Sequence, residues 1–449
     1  MSFRLGLWVV AGVALARGTF LATLIPPPHG PDEPAHFDHV QRIAEHGRLP
    51  ELRARCAAFS PEGLAVQSQL RDPLVFQPDH PFPPLDSFHP PDPTNPSARA
   101  TTGCGPAAAY PPLYYSTGAV AYRVAHRSPV LQRLFAVRLA SVTWGIATCV
   151  FAYLLGFWWF GRVRDGLLIG VLAATQPMMG FLSSVVNNDA ALFACGMGSF
   201  AALAWLRRQP QSVKPLVLLA VCSTAGVLSK PTYILVFPAL GFAALLLSGS
   251  LRRLSSWLRT AATLAPAVAA FVLWSLYSQP AMRDQLSQSS TKVSLGEFLR
   301  QWVFVGHRLY RIWVKGYWMN WGWLDTALRE PYYGLIAALL LLAGVGTLLG
   351  WRLLVPIERW LVVFTAGATL YGLAILYALE LPVLRTGLAF VQGRYLLPIF
   401  PLHALTIVTG LRAFGRRFQA YCDAPWVFAA VLCIIDGAAI ARSLVRYYS

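Results

Sequence analysis

Apolar runs near the length that crosses a bilayer as a helix, about 20 residues, recur along this chain. They fall near 3–25, 134–160, 166–183, 190–206, 215–229, 231–249, 260–278, 332–351, 360–380, 395–411 and 425–441. The pattern predicts an all-α integral membrane protein of about eleven transmembrane helices, a single polytopic domain over 1–449. The first run contains Ala14-Leu15-Ala16, which looks like a signal-peptide cleavage site. Its hydrophobicity continues to Ile25, however, and it reads as an uncleaved anchor. Residues 113–125 are apolar over only about thirteen positions, too few to cross, and are expected to lie along the interface.

With that segment kept out of the count, the basic clusters all fall on one side with Arg4: Arg162/Arg164, Arg207/Arg208/Lys214, Arg252/Arg253/Arg259, Arg352/Arg359 and Arg412/Arg416/Arg417. By the positive-inside rule that side is cytoplasmic, with the amino terminus inside and the carboxyl terminus outside. Two long segments then face outward, 26–133 and 279–331. The first is expected to carry juxtamembrane helices, and holds Cys56 and Cys104, whose pairing an oxidising compartment permits but spacing leaves open. In the second, Arg300, His307, Arg308, Arg311 and Lys315 recur on one face of a helical pattern between Glu297 and Lys315, opposite Phe298, Trp302, Val305, Leu309 and Ile312. This reads as an interfacial helix, its basic stripe drawn to anionic headgroups or holding a lipid-linked phosphate.

Composition agrees: 56% of the chain is hydrophobic and 13% charged, against about 25% charged in a soluble domain, and the mean hydropathy is +0.50. The net charge of +17 would suit nucleic acid if gathered on one soluble face. Here it alternates with apolar runs and reads as topology charge, so no nucleic-acid partner is expected.

Candidate chemistry gathers on the outer side. Pro31-Asp32-Glu33-Pro34-Ala35-His36-Phe37-Asp38-His39 follows the first span. One acid before Pro34 suits a helix start; two adjacent carboxylates and two histidines suggest more. Asp32 or Glu33 is a candidate general base, and His36 and His39 fill acid-base, metal or ordinary polar roles. The second outer turn, Ser183-Ser184-Val185-Val186-Asn187-Asn188-Asp189, carries one acid that caps a helix, positions an acceptor or binds a divalent cation. Lys230 and Arg394 end spans on the same side, as snorkelling cations or as partners of a phosphate. Asp436 and Arg17 are the main mid-span charges; an intramembrane acid is what a proton-coupled transporter would need.

The run Thr23-Leu24-Ile25-Pro26-Pro27-Pro28-His29-Gly30-Pro31-Asp32-Glu33-Pro34-Ala35-His36-Phe37 stands with Tyr110-Pro111-Pro112-Leu113-Tyr114-Tyr115, Trp321-Gly322-Trp323-Leu324-Asp325 and Gln392-Gly393-Arg394-Tyr395-Leu396-Leu397-Pro398. Together they resemble a bacterial family of multi-pass membrane proteins of unknown function, and more distantly the lipid A aminoarabinose transferases and protein O-mannosyltransferases. The resemblance implies a C-type glycosyltransferase fold in a bacterial inner membrane, an extracytoplasmic active site and a polyprenyl-phosphate-sugar donor. The acceptor would be a glycan, lipid or protein. It matches Asp32 to the catalytic acid of the first external loop, with Glu33 beside it, Asp189 to the second-loop acid and Lys230 to the cation after the fifth span. Arg394 matches a Lys before a Leu-Pro motif. His36, Tyr395, Arg308 and Arg311 complete the expected substrate-binding set. Tyr110 stands where those transferases carry a charged residue. No cofactor is required, although a divalent cation has room to act. A flippase of lipid-linked sugars and a glycan-repeat polymerase are the rival readings.

Overall fold

The computed structural model describes residues 2–50, 52, 59–75, 77, 79–92, 94–101, 107–247, 252–287, 294, 296, 300, 309–323, 325–383, 392–418 and 423–449. The long elements are α1 (Phe3–Leu24), α2 (Glu33–His46), α3 (Pro61–Val66), α4 (Leu113–Val124), α5 (Val130–Phe160), α6 (Val163–Ala174), α7 (Pro177–Leu182) and α8 (Asp189–Arg208). They continue with α9 (Lys214–Ser229), α10 (Phe237–Leu247), α11 (Leu254–Ser287), α12 (Glu330–Leu349), α13 (Pro356–Val383), α14 (Phe400–Phe418) and α15 (Ala424–Tyr448). A two-stranded antiparallel hairpin, β1 (Asn320–Trp321) and β2 (Thr326–Ala327), turns through Gly322 at φ 63°.

Eight helices among the described residues are long and apolar enough to cross a membrane, and the chain is a multi-pass all-α membrane protein. The other three expected spans are short or broken. Pro177 interrupts 166–183 because proline supplies no backbone N–H; Gln176 caps the new start, its Oε1 accepting from Met179 N at 2.6 Å. Lys214–Ser229 and Pro231–Leu247 form apolar helices of fewer than 18 residues, separated at Lys230-Pro231.

α5 has 31 residues, roughly 46 Å at 1.5 Å per residue, so its first turns stand clear of a hydrocarbon core of about 30 Å. Those turns carry the 26–133 segment. The Tyr114 hydroxyl of α4 bonds Ser141 at 2.7 Å, and Arg133 donates to Glu62 of α3 at 2.8 Å with both side chains buried. α4, twelve residues long, is about 18 Å and too short to span. It packs between α2 and α5 around a small core of its own, which includes Val40, Tyr115, Ala119, Val137 and Val186.

The basic clusters gather at one end of the bundle. Arg412 pairs with Asp165 and Arg164 with Asp423, Arg207 and Arg208 donate to the carbonyls of Trp159 and Trp158, and Tyr153 reaches the Phe3 carbonyl. At the opposite end Tyr448 donates to the Leu24 carbonyl and Arg446 to Gln77. The two termini therefore lie at opposite ends.

Two expectations change. α11 runs to Ser287, so the boundary at 279 falls inside a helix. Of the basic helix expected between Glu297 and Lys315, most lies outside the described residues, and the described stretch Leu309–Lys315 is a π-helix. Its Lys315 is taken by Glu330 at 2.6 Å. Arg311 is exposed, and no interaction joins it to Lys230 or Arg394 among the described residues. Arg308, Cys56 and Cys104 lie outside the described residues.

Mid-span, Arg17 of α1 grips Asp436 of α15 with two hydrogen bonds, Nε to Oδ2 at 2.6 Å. Each charge there is tolerable only because the other neutralises it. Arg17→Met or Asp436→Asn alone should cost about 3–5 kcal/mol, and Arg17→Met with Asp436→Leu should recover most of it. The thermal midpoint in detergent checks this; a double variant as unstable as the singles would contradict the pairing.

Candidate functional site

The outer site starts from a buried ion pair. Glu33, the first residue of α2, is fully buried and accepts four hydrogen bonds. Arg138 Nε and Nη2 each donate at 2.7 Å, Gly30 N at 3.0 Å and Val186 N at 2.9 Å. Arg138 also donates to the carbonyls of Ala22, Ile25 and Pro26. The ion pair thus joins the end of α1, the start of α2 and, through Glu33, the turn before α8. Gly30 must be glycine because a β-carbon there would meet Val185 at 2.8 Å.

Glu33 therefore has no lone pair left for an acceptor, and its expected catalytic role becomes one of positioning. Asp32 is the opposite case. It sits at φ 56°, ψ 14°, the left-handed region that non-glycine residues rarely adopt, caps nothing with its side chain, and is exposed.

Around Asp32 the structure gathers residues from four other segments. Lys230 Nζ meets Asp189 Oδ1 at 2.6 Å, and both side chains are at most 5% exposed. Lys230 also lies over the rings of Tyr110 and Tyr395, at 5.7 and 5.2 Å. Arg394 is 4% exposed, with Nε and Nη1 unpartnered among the described residues, and its guanidinium stacks over Tyr395 at 5.4 Å. Asp32 lies within electrostatic reach of Tyr110 and Arg394. Asp189 Oδ2 and Asn188 Oδ1 are buried and unpartnered.

The polar turn before α8 ties these pieces together. Asn187 Nδ2 donates to the Pro31 carbonyl at 3.1 Å, Asn188 Nδ2 to the Ser229 carbonyl at 3.2 Å, and Asn187 Oδ1 accepts from Asp189 N at 2.9 Å. Each asparagine thus holds the residue just before an expected site residue, Asp32 or Lys230.

Electrostatics follow from burial beside cations. His36 shares a 2.8 Å hydrogen bond with the Tyr115 hydroxyl and stacks with Tyr110. Burial, then Lys230, His39 and Arg394, hold its pKa well below the ordinary value. His39, bonded through Nδ1 to the Ala107 carbonyl at 3.0 Å, is lowered by burial to about 3. His29 is lowered to about 3 by burial and by Arg446, Arg138 and Arg71. Burial pushes the Tyr110 hydroxyl up to about 12, with Lys230 opposing the rise. Buried and neutral, the histidines leave Lys230 and Arg394 as the cations of the cleft.

Lys230 occupies the Asp189 oxygen that a divalent cation would take, and among the described residues no three His, Cys, Asp or Glu side chains form a metal-binding group. With Lys230 neutralised by Asp189, the unpartnered nitrogens of Arg394 are what the cleft offers an anion.

A groove of about 770 Å³ lies between Leu309–Lys315, α12, α13 and α14, with Leu396, two residues on from Arg394, in its wall. Trp313, Tyr317, Leu373, Tyr377, Leu396 and His403 line it. Gly393 lets the Arg394 segment approach Leu309–Lys315, since a β-carbon there would strike the Trp313 carbonyl.

Sequence reasoning missed Arg138, Asn187 and Tyr115. Arg138 did carry a signal, a lone charge in an apolar run that had to find a partner.

A family profile described as "Predicted membrane protein (DUF2142)" matches residues 15–403, most of the chain, and the chain belongs to that family. No curated protein matches it.

The buried histidines generate an acid sensitivity. His29 and His39 stay neutral in the fold to about pH 3, whereas in the unfolded chain they protonate near 6.5. Between those values the unfolded state binds more protons, so stability present above about pH 6.5 is lost as the pH falls. His39→Gln should shrink the drop in thermal midpoint between pH 7.5 and 5, by up to about 2 kcal/mol. An undiminished drop would place the sensitivity elsewhere.

Proposed function

We propose that this member of the DUF2142 family is a membrane glycosyltransferase of the C-type fold. It moves a sugar from a polyprenyl phosphate to an acceptor hydroxyl or amine on the extracytoplasmic side of a bacterial inner membrane, with its amino terminus cytoplasmic. The single observation that carries the reading is the juxtaposition of a free acid, Asp32, with a buried guanidinium that has unpartnered nitrogens, Arg394, beside Lys230.

A sugar on a polyprenyl phosphate is already activated. The acceptor oxygen or nitrogen attacks the anomeric carbon and forms the new glycosidic bond. The bond from that carbon to the phosphate oxygen breaks, and the phosphate leaves with the electron pair. Arg394 and Lys230 stabilise the charge that develops there, in a buried setting where fixed cations act strongly. Asp32 takes the acceptor proton as general base, and direct displacement inverts the anomeric centre. Glu33 holds Asp32 in position through Arg138. Asp189, whose second oxygen is unpartnered, orients the sugar or acceptor hydroxyls, with His36, Tyr110 and Tyr395 as neighbouring walls. The aromatic groove beside Leu396 has the apolar lining a polyprenyl tail needs. Glycan, lipid and protein acceptors all satisfy this chemistry. The flippase reading loses its mid-membrane acid, because Asp436 is held by Arg17.

Asp32→Asn keeps the side-chain shape and should lower turnover of a defined polyprenyl-phosphate sugar by roughly 10²–10⁴-fold with donor binding intact. Undiminished transfer by the folded variant would remove Asp32 from the mechanism. Arg394→Ala should weaken donor binding about 10- to 150-fold, the loss of a charge-assisted contact of about 1.5–3 kcal/mol, and Lys at this position should restore part of it. Equal donor affinity in wild type and Arg394→Ala would reduce Arg394 to a helix-end anchor.

A further inference from the structure

A second cavity, of about 250 Å³, lies on the other face of α13. Ile357, Trp360, Leu361 and Phe364 of α13 face it, whereas Thr365, Leu373 and Tyr377 face the outer groove. It opens because α13 meets α10 chiefly through the stacked rings of Phe242 and Phe364, 6.1 Å apart, leaving a gap between the two helices. Phe200, Leu203 and Ala204 of α8 form its floor. α8 is the most enclosed long helix, with 94% of its apolar window buried. A chain entering this gap therefore reaches the centre of the bundle, where a lipid merely coating the outside would not.

The mouth lies at the basic end, since Trp159 is next to the last residue of α5, Leu247 ends α10 and Ile357 is the second residue of α13. Trp159 carries Arg207, whose Nη1 donates to its carbonyl at 2.8 Å and whose guanidinium covers its ring at 4.8 Å. Arg207 has no carboxylate at ion-pair distance among the described residues. Glu358 reaches Arg207 only through space and pairs with Arg416 at 3.5 Å. The rim therefore holds more cations than anions, Arg207 with Arg208 beside it and Arg416 against Glu358, above a cavity whose lining side chains are all hydrophobic. A tryptophan at the mouth suits the boundary between acyl chain and headgroup.

We propose that this cavity binds one acyl chain of an anionic glycerophospholipid from the leaflet at the basic end, with the headgroup phosphate on Arg207. The site is separate from the outer cleft and does not depend on the transferase reading. A hydrocarbon chain matches a lining whose only polar side-chain groups are the indole N–H of Trp159 and Trp360, and the uncompensated cation selects the anionic headgroup.

The test uses the full-length detergent-purified protein, stripped of lipid and then exposed to phosphatidylglycerol or phosphatidylcholine with identical acyl chains. Native mass spectrometry counts the lipids retained. Wild type should retain phosphatidylglycerol about fivefold more strongly, the worth of one cation near a charged headgroup. Arg207→Gln should erase that preference, and Ala243→Trp, which fills the cavity, should lower the count by one lipid for either headgroup. Equal retention of the two lipids by wild type would overturn the proposal, as would a folded Ala243→Trp variant that keeps the full count. Should Ala243→Trp fail to fold, an unchanged preference in Arg207→Gln overturns the headgroup assignment alone.

Discussion

The end of the bundle opposite the basic clusters is organised around the buried ion pair between Glu33 and Arg138. Two charges out of water are costly unless every hydrogen-bonding position is filled. Here they are filled by Gly30, Val186 and three carbonyls at the end of α1. Because those partners belong to four segments, the pair can be satisfied only when α1, α2, α5 and the turn before α8 are docked together. Asp32, the neighbour of Glu33, is thereby driven into a left-handed conformation and onto the surface of the cleft. Strain at a single non-glycine residue, of order 1–3 kcal/mol, persists where the surroundings over-determine it, and this is such a place.

The same arrangement leaves one buried cation of the cleft poised. Lys230 is neutralised by Asp189, while Arg394 is buried with unpartnered nitrogens. A buried donor without an acceptor is unfavourable, and an arriving phosphate relieves that deficit. The groove of Trp313, Tyr317 and Tyr377 next to Leu396 extends the site toward lipid. One end of a ligand is thus met by charge and the other by aromatic and aliphatic surface, the division an amphiphilic phosphate requires.

Much of this was legible in the chain. The apolar runs located the eight membrane-length helices, and the charges Asp32, Asp189, Lys230 and Arg394 converge because each ends or follows an apolar segment at the same level of the bundle. Glu33 was not separable from Asp32, since adjacent carboxylates look alike until the backbone turns one inward and the other outward. Arg138 was hidden inside an apolar run, where its partner is 105 positions away in sequence. The basic stripe misled for a related reason: periodicity records which residues share a face but not that Lys315 is taken by Glu330. Gln176-Pro177 broke an expected span because a hydropathy average does not register a missing N–H.

The most direct test of the central claim is the fate of the lipid-linked sugar itself. Purified protein in detergent, where no membrane gradient exists, is given a radiolabelled polyprenyl-phosphate sugar and a hydroxyl-bearing acceptor, and the free polyprenyl phosphate is quantified. A transferase built on this cleft should release one polyprenyl phosphate for each sugar appearing on the acceptor. A donor that stays intact in detergent, yet is carried across proteoliposomes by the same protein, would contradict the account and make the cleft a site of transport.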